Sequence, residues 1–317
     1  MIKDSDALGL AESVRAMHVR MRDTVVDAMA TAPAADLRAS DGSAAGDTAY
    51  GIDKVSEAVL LELLGAHLED WLPVVVIAEG LPDIGIGTGI AVVLEPPRRI
   101  HGFVAGRRAH AKVDRHRRRS ADRDSASQAD NRGHVVGRPG RRRFRGPNRS
   151  PRRGLPALPV APSAATSLDH GFGQVARVFP GCRDVLAAID DEVCLAVVGP
   201  GGPRRGVTFE DQYISTGGQL AELVFGHDRW TADLRPLLSP LLAARGLPPP
   251  QCCHPYDICT ALIAEEAGLL VSGVDGPLDH TLELDSDVAW VGYANESIRA
   301  LVEPALRKAI ARHLAAG

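Results

Sequence analysis

His254-Pro-Tyr-Asp257-Ile-Cys-Thr-Ala-Leu-Ile-Ala-Glu-Glu-Ala-Gly268 reads as an apolar helix with both ends marked. Asp257 opens it, where an acid is favourable to the helix dipole, and Ala267-Gly268 closes it. Cys252, Cys253, His254 and Cys259 crowd the same stretch and raise the question of zinc. Their spacing is not that of a tetrahedral zinc site, and no second CxxC or HxxxH pair complements them, so zinc is not expected.

Working outward, residues 288–291 have the length and composition of a buried strand, and 298–314 form an amphipathic helix. Before the opening stretch lie an apolar segment over 234–242, a helix through 220–224 and a strand-like run over 193–198. Thr216-Gly217-Gly218-Gln219 leads into the 220–224 helix. It reads equally as a phosphate cradle at a helix N-terminus or as an ordinary tight loop entry. Near the start of the chain, Leu10, Val14, Met17, Met21, Val25 and Met29 recur at helical spacing over 8–31. A small-residue loop over 39–48 follows, then a second helix from near Gly51 with Val55, Val59, Leu60, Leu63 and Leu64 on one side. Short apolar runs at 74–77 and 91–94 read as strands. Alternating strands and helices at both ends predict an α/β or layered α+β architecture.

The chain has 317 residues, 45% hydrophobic and 4% aromatic, with a net charge of −4. That total hides an asymmetry. Residues 98–153 hold 18 arginines and Lys112 against Asp114, Asp122, Asp124 and Asp130, a net of +15 that leaves −19 on the rest. Only Ile100, Phe103, Val104, Val113, Val135, Val136 and Phe144 are large and apolar there, too few to offset the entropy of ordering. No apolar run reaches the roughly 18 residues of a membrane span, and no secretory signal is visible. Five cysteines suit a reducing cytoplasm better than a disulfide framework. No repeat of fixed period is found.

Among candidate acids, Asp53 and Glu57 share a face of the second helix, which also suits a merely solvated acidic face. Glu79 follows the 74–77 strand, and ligands of α/β sheets collect at such carboxyl ends. Gly85-x-Gly87-x-Gly89 lacks the dinucleotide spacing and is followed by a strand rather than a helix. No GxSxG elbow or P-loop occurs.

Taken together, four pieces resemble the inositol monophosphatase family of magnesium-dependent phosphatases. They are Gly46-Asp-Thr-Ala-Tyr-Gly-Ile-Asp53-Lys-Val-Ser-Glu57, Val74-Val-Val-Ile-Ala-Glu79-Gly80, the run from Ser215 to Asp233, and the opening stretch from His254 to Gly268. The resemblance covers roughly residues 5–95 and 163–317. It implies an α+β, layered αβαβα two-lobed phosphatase-type fold, with an N-terminal lobe over 1–95 and a C-terminal lobe over 161–317; between them lies the Arg-rich segment over 96–160, which its composition predicts to be disordered. It implies Mg2+ as cofactor, Glu79 and Asp257 as metal ligands, and Asp53 orienting the attacking water. Gly217, Gly218 and Asp233 fall on the substrate side. The implied substrate is a small phosphorylated polyol or sugar, the assembly a homodimer, and the location cytoplasmic.

One family motif is missing. Asp-Pro-Ile/Leu-Asp-Gly-Thr/Ser should follow the strand ending at Leu94, but the chain reads Glu95-Pro96-Pro97-Arg98-Arg99-Ile100-His101-Gly102. Glu95 stands in the metal-ligand position of the first aspartate, and there the match stops. A reading-frame slip accounts for both the loss and the arginine excess. With suitable synonymous codons, removing one base at Pro96-Pro97 restores Glu-Pro-Leu-Asp-Gly-Ser-Thr-Gly. The sequence thus reads as out of frame from near Pro97 to near Pro159, and as a phosphatase impaired in its written form. Two other readings remain: a catalytically inactive scaffold of the same fold, and a nucleic-acid binder using the +15 stretch. The second has one aromatic, Phe144, in its most basic part and no recognisable nucleic-acid-binding fold.

Overall fold

The computed structural model describes residues 4–39, 51–68, 74–78, 90–94, 100–107, 123–125, 135–136, 144–145, 160–199, 207–278, 280–281, 283 and 286–314. The chain divides into two compact units. The first comprises Met1–Leu158, Pro255–Glu266 and Thr281–Ser286; the second comprises Pro159–His254, Ala267–His280 and Asp287–Gly317.

In the first unit the helical period at the N-terminus becomes α1 (Asp4–Thr31). Its Leu10, Val14, Met17, Met21 and Val25 are buried, whereas Met29 is exposed. α1 packs on α3 (Gly51–Leu68), where Leu60 and Leu63 are buried, and α2 (Ala34–Arg38) precedes α3. The two apolar runs are β1 (Val74–Ala78) and β2 (Ile90–Leu94), paired in parallel. Within the Arg-rich stretch the described residues are strands: β3 (Ile100–Arg107) runs antiparallel to β2 and to β4 (Arg123–Ser125), and β5 (Val135–Val136) pairs with β6 (Phe144–Arg145). Backbone pairing of this kind needs no side-chain period.

The second unit is a five-stranded sheet in the order β10-β11-β9-β7-β8. Its strands are β7 (Gly171–Val175), β8 (Thr208–Phe209), β9 (Asp228–Asp233), β10 (Leu270–Ser272) and β11 (Trp290–Tyr293). β7 is parallel to both β8 and β9, and β11 is antiparallel to β9 and β10. On one face Val175, Trp230, Ala232, Val291 and Tyr293 form a core with α4 (Arg183–Val198) and α8 (Glu296–Leu314). Side chains alternate along a strand, so Thr231 and Gly292 point to the other face. There α5 (Thr216–Val224) lies close, a Cβ on Gly292 falling 2.8 Å from Leu223 Cδ1. The sheet therefore carries helices on both faces.

Two expectations need correction. Residues 193–198 are not a strand but the last turns of α4. The β-branched run suggested a strand, yet Leu186, Ile189 and Val193 recur at three and four and bury one helical face. The strand expected at 288–291 is β11, displaced to Trp290–Tyr293, because Val288 is spent on a loop bond, its amide donating to Cys253 O at 2.8 Å.

The turn between α5 and β9 depends on one glycine. Gly226 has φ +79°, and a Cβ there would lie 2.5 Å from the Ala161 carbonyl oxygen. Gly226→Ala meets backbone strain and backbone contact together. It is expected to lower stability by about 1–3 kcal/mol, read as a fall in the urea midpoint at unchanged slope.

Candidate functional site

Asp257 is half-buried and opens a short 3-10 turn, Ile258–Thr260, that continues into α7 (Ala261–Glu266). The single continuous helix of the sequence reading is thus a 3-10 turn followed by an α-helix. Ile258, Cys259, Leu262 and Ile263 are buried and anchor it. The Asp257 carboxylate makes no cap bond to that turn. Asp53 and Glu57 lie on α3, in the same unit as Asp257, with side chains outside the described set. Glu79, Glu95 and the Gly85, Gly87 and Gly89 run are outside the described residues.

In the second unit, Ser215 caps α5: its Oγ accepts from the Gly218 amide at 3.1 Å. Gly217 and Gly218 are buried in the first turn, where helix amides lack intrahelical partners. Residues 225–227 reverse the chain into β9. The N-terminus of α5 and the carboxyl end of β9 therefore lie at the same end of the unit, so Gly217 and Gly218 share that end with Asp233. Asp233 itself is fully buried, with Oδ1 accepting from Arg235 N (3.2 Å) and Nε (2.9 Å) and Oδ2 from Nη2 (2.6 Å).

At the opposite end of α5 is a set of acids that sequence reasoning did not single out. His227 Nδ1 lies 2.5 Å from Glu222 Oε2, and Asp228 is buried beside them. Burial, then the charges of Glu222 and Asp211, push the Asp228 carboxyl up to about 7. Thr231 Oγ1 donates to it at 3.5 Å. Asp190 on α4 is pushed up to about 6 by burial, against the pull of Arg177. It accepts from the Val175 amide at 3.1 Å, and Arg177 also pairs with Glu210. Both groups hold protons in the folded state that the unfolded chain releases above about pH 4. Stability is therefore expected to fall as pH rises from about 4 to 7, by up to about 1.4 kcal/mol per pH unit per group. Urea midpoints at pH 5 and 7.5 check this, and Asp228→Asn should flatten much of the slope.

Burial, reinforced by Asp287 and Asp233, keeps the Cys252 thiol far above its ordinary pKa. Among the described residues no three His, Cys, Asp or Glu side chains are grouped to hold a metal, and no helix is long and apolar enough to cross a membrane. Oxygen donors are what magnesium takes. The carboxylates that the resemblance assigns, Asp257 with Glu79 and Glu95, fit that ion by donor type.

No protein-family model matches the chain, and no curated protein does. Solved structures do. The extragenic suppressor protein suhB from Bartonella henselae is 13% identical, with 94% of this chain and 98% of that one covered at a TM-score of 0.63. Inositol monophosphatase from Anabaena (Nostoc) sp. PCC 7120 is 13% identical, with 98% and 97% covered at 0.54. The Staphylococcus aureus inositol monophosphatase-II solved with inositol monophosphate bound is 12% identical, with 95% and 96% covered at 0.58; that protein has also been solved with 2′AMP bound.

Proposed function

We propose that this chain, which has the fold of the inositol monophosphatases, is by descent a magnesium-dependent phosphomonoesterase for a small phosphorylated polyol or sugar, impaired in its written form. The observation that carries the reading is the likeness of nearly the whole chain to that fold. The bound inositol monophosphate of the Staphylococcus aureus protein supports the substrate class.

Asp257, Glu79 and Glu95 would hold magnesium, and Asp53 would orient the attacking water. Bound magnesium would supply Lewis acidity to the phosphoryl group and charge stabilisation to the leaving oxygen. Gly217 and Gly218 offer a helix N-terminus without side chains, which admits an anionic ester close to the backbone. Ser215 holds that turn in shape through Gly218. Asp233 serves the same end of the unit. The written chain lacks the aspartate pair of the missing motif, and Glu95 alone stands in for it.

Phosphate release from inositol and fructose phosphates, with magnesium or with EDTA, tests the proposal. The written chain should stay near background. A chain re-encoded in the restored frame from Pro97 to Pro159 should be active and should lose that activity on Asp257→Asn. A restored chain silent on all these esters would overturn the reading.

A further inference from the structure

Asp233 and Arg235 are both buried, the carboxylate 0% and the guanidinium side chain 6% exposed. Besides its three bonds to Asp233, Arg235 donates from Nη1 to the Gln251 carbonyl at 2.8 Å. Its guanidinium stacks on the Phe179 ring, 5.4 Å from the centroid. Burial works against the charge, and Asp233 more than offsets it, so the guanidinium pKa stands above its usual value. Two residues further on, the Val288 amide donates to the Cys253 carbonyl at 2.8 Å. Cys252 and Cys253 are themselves buried. The run 251–253 is thus tied at both its outer carbonyls, and four residues later the chain reaches Asp257. Pro250 and Pro255 flank the run and restrict its backbone further.

We infer that Asp233 and Arg235 are positioning residues: a buried strut that fixes the 251–254 run, the stretch of chain that leads on to Asp257. Asp233 then acts through Arg235 and does not touch the ester. The link to metal rests on the reading of Asp257 above; the strut does not. The planar fork of arginine holds both Asp233 oxygens and Gln251 O in one fixed geometry, which a lysine ammonium on its flexible stem does not reproduce.

The experiment uses the full chain with Asp233→Leu/Arg235→Met, which removes both charges together, and Arg235→Lys, which keeps the charge and loses the fork. Amide hydrogen exchange over 251–257 should quicken at least about tenfold in both variants, with β11 and α8 unchanged. Mn2+ affinity, read from the free-ion EPR signal, should fall about tenfold in both, the size expected when a residue supporting a metal ligand is lost. Unchanged exchange over 251–257 in either folded variant overturns the strut. Faster exchange with unchanged Mn2+ affinity overturns its link to Asp257. If the unsubstituted chain takes up no Mn2+, the metal reading fails, and exchange alone still decides the strut. A raised KM for the ester when the double substitution is made in the restored-frame chain, with exchange unchanged, would return Asp233 to the substrate.

Discussion

Restoring the frame from Pro97 to Pro159 is expected to raise magnesium-dependent phosphate release at least about 100-fold over the written chain, or about 2.7 kcal/mol of transition-state stabilisation. The size follows from what the written sequence lacks. The missing motif would supply two aspartates and the main-chain carbonyl between them, whereas Glu95-Pro96 supplies one carboxylate before the match ends at Pro97-Arg98-Arg99. The written chain therefore loses oxygen donors of the kind magnesium takes. Sequencing the encoding DNA across residues 95–162 gives an independent answer: an unambiguous continuous frame would sink the slip. Activity in the written chain equal to that of the restored one would show that Glu79, Asp257 and Glu95 suffice.

Arg235→Met alone is expected to destabilise the second unit by about 3–5 kcal/mol, because it leaves the Asp233 carboxylate buried without its partner. Three of the carboxylate's bonds come from Arg235; after the substitution only the Arg235-position amide remains. Adding Asp233→Leu should recover most of the loss, since two apolar side chains of similar volume replace the pair. Urea melts of the single and double variants measure both steps. A single variant as stable as the parent would mean that water reaches Asp233.

Much of the fold was legible because burial left a period. Leu10, Val14, Met17, Met21 and Val25 mark α1 from sequence, and all five are buried. β7 was not legible. Its Gly171-Phe-Gly-Gln-Val175 carries two glycines and an exposed Phe172, so no alternation advertises it. Gly173 is there because a side chain would strike Trp230, a cause that sits on another strand. Residues 193–198 misled because a β-branched run has the same composition at a helix end as in a strand. The site shows the same division. The turn of Gly217 and Gly218 could be read from its glycines. The partnership of Asp233 with Arg235 could not, because an acid and a base two apart in sequence are commonplace, and only burial makes the pair consequential. The raised Asp228 depends first on its burial and then on Glu222 and Asp211, which the chain brings to it from outside β9.

The way the chain is shared between the two units limits how it could be cut or exchanged. Pro255–Glu266 and Thr281–Ser286 belong to the first unit although they follow most of the second in sequence. Severing the backbone near residue 159 would therefore not release two autonomous halves. The downstream piece would keep Ile258, Leu262 and Ile263, buried in the intact chain, as apolar surface foreign to its own unit. During synthesis, the first unit cannot be completed until the ribosome has passed residue 286. Recombination that swapped one half for a homologue's would have to match these late returning segments as well, which ties the inheritance of the two units together.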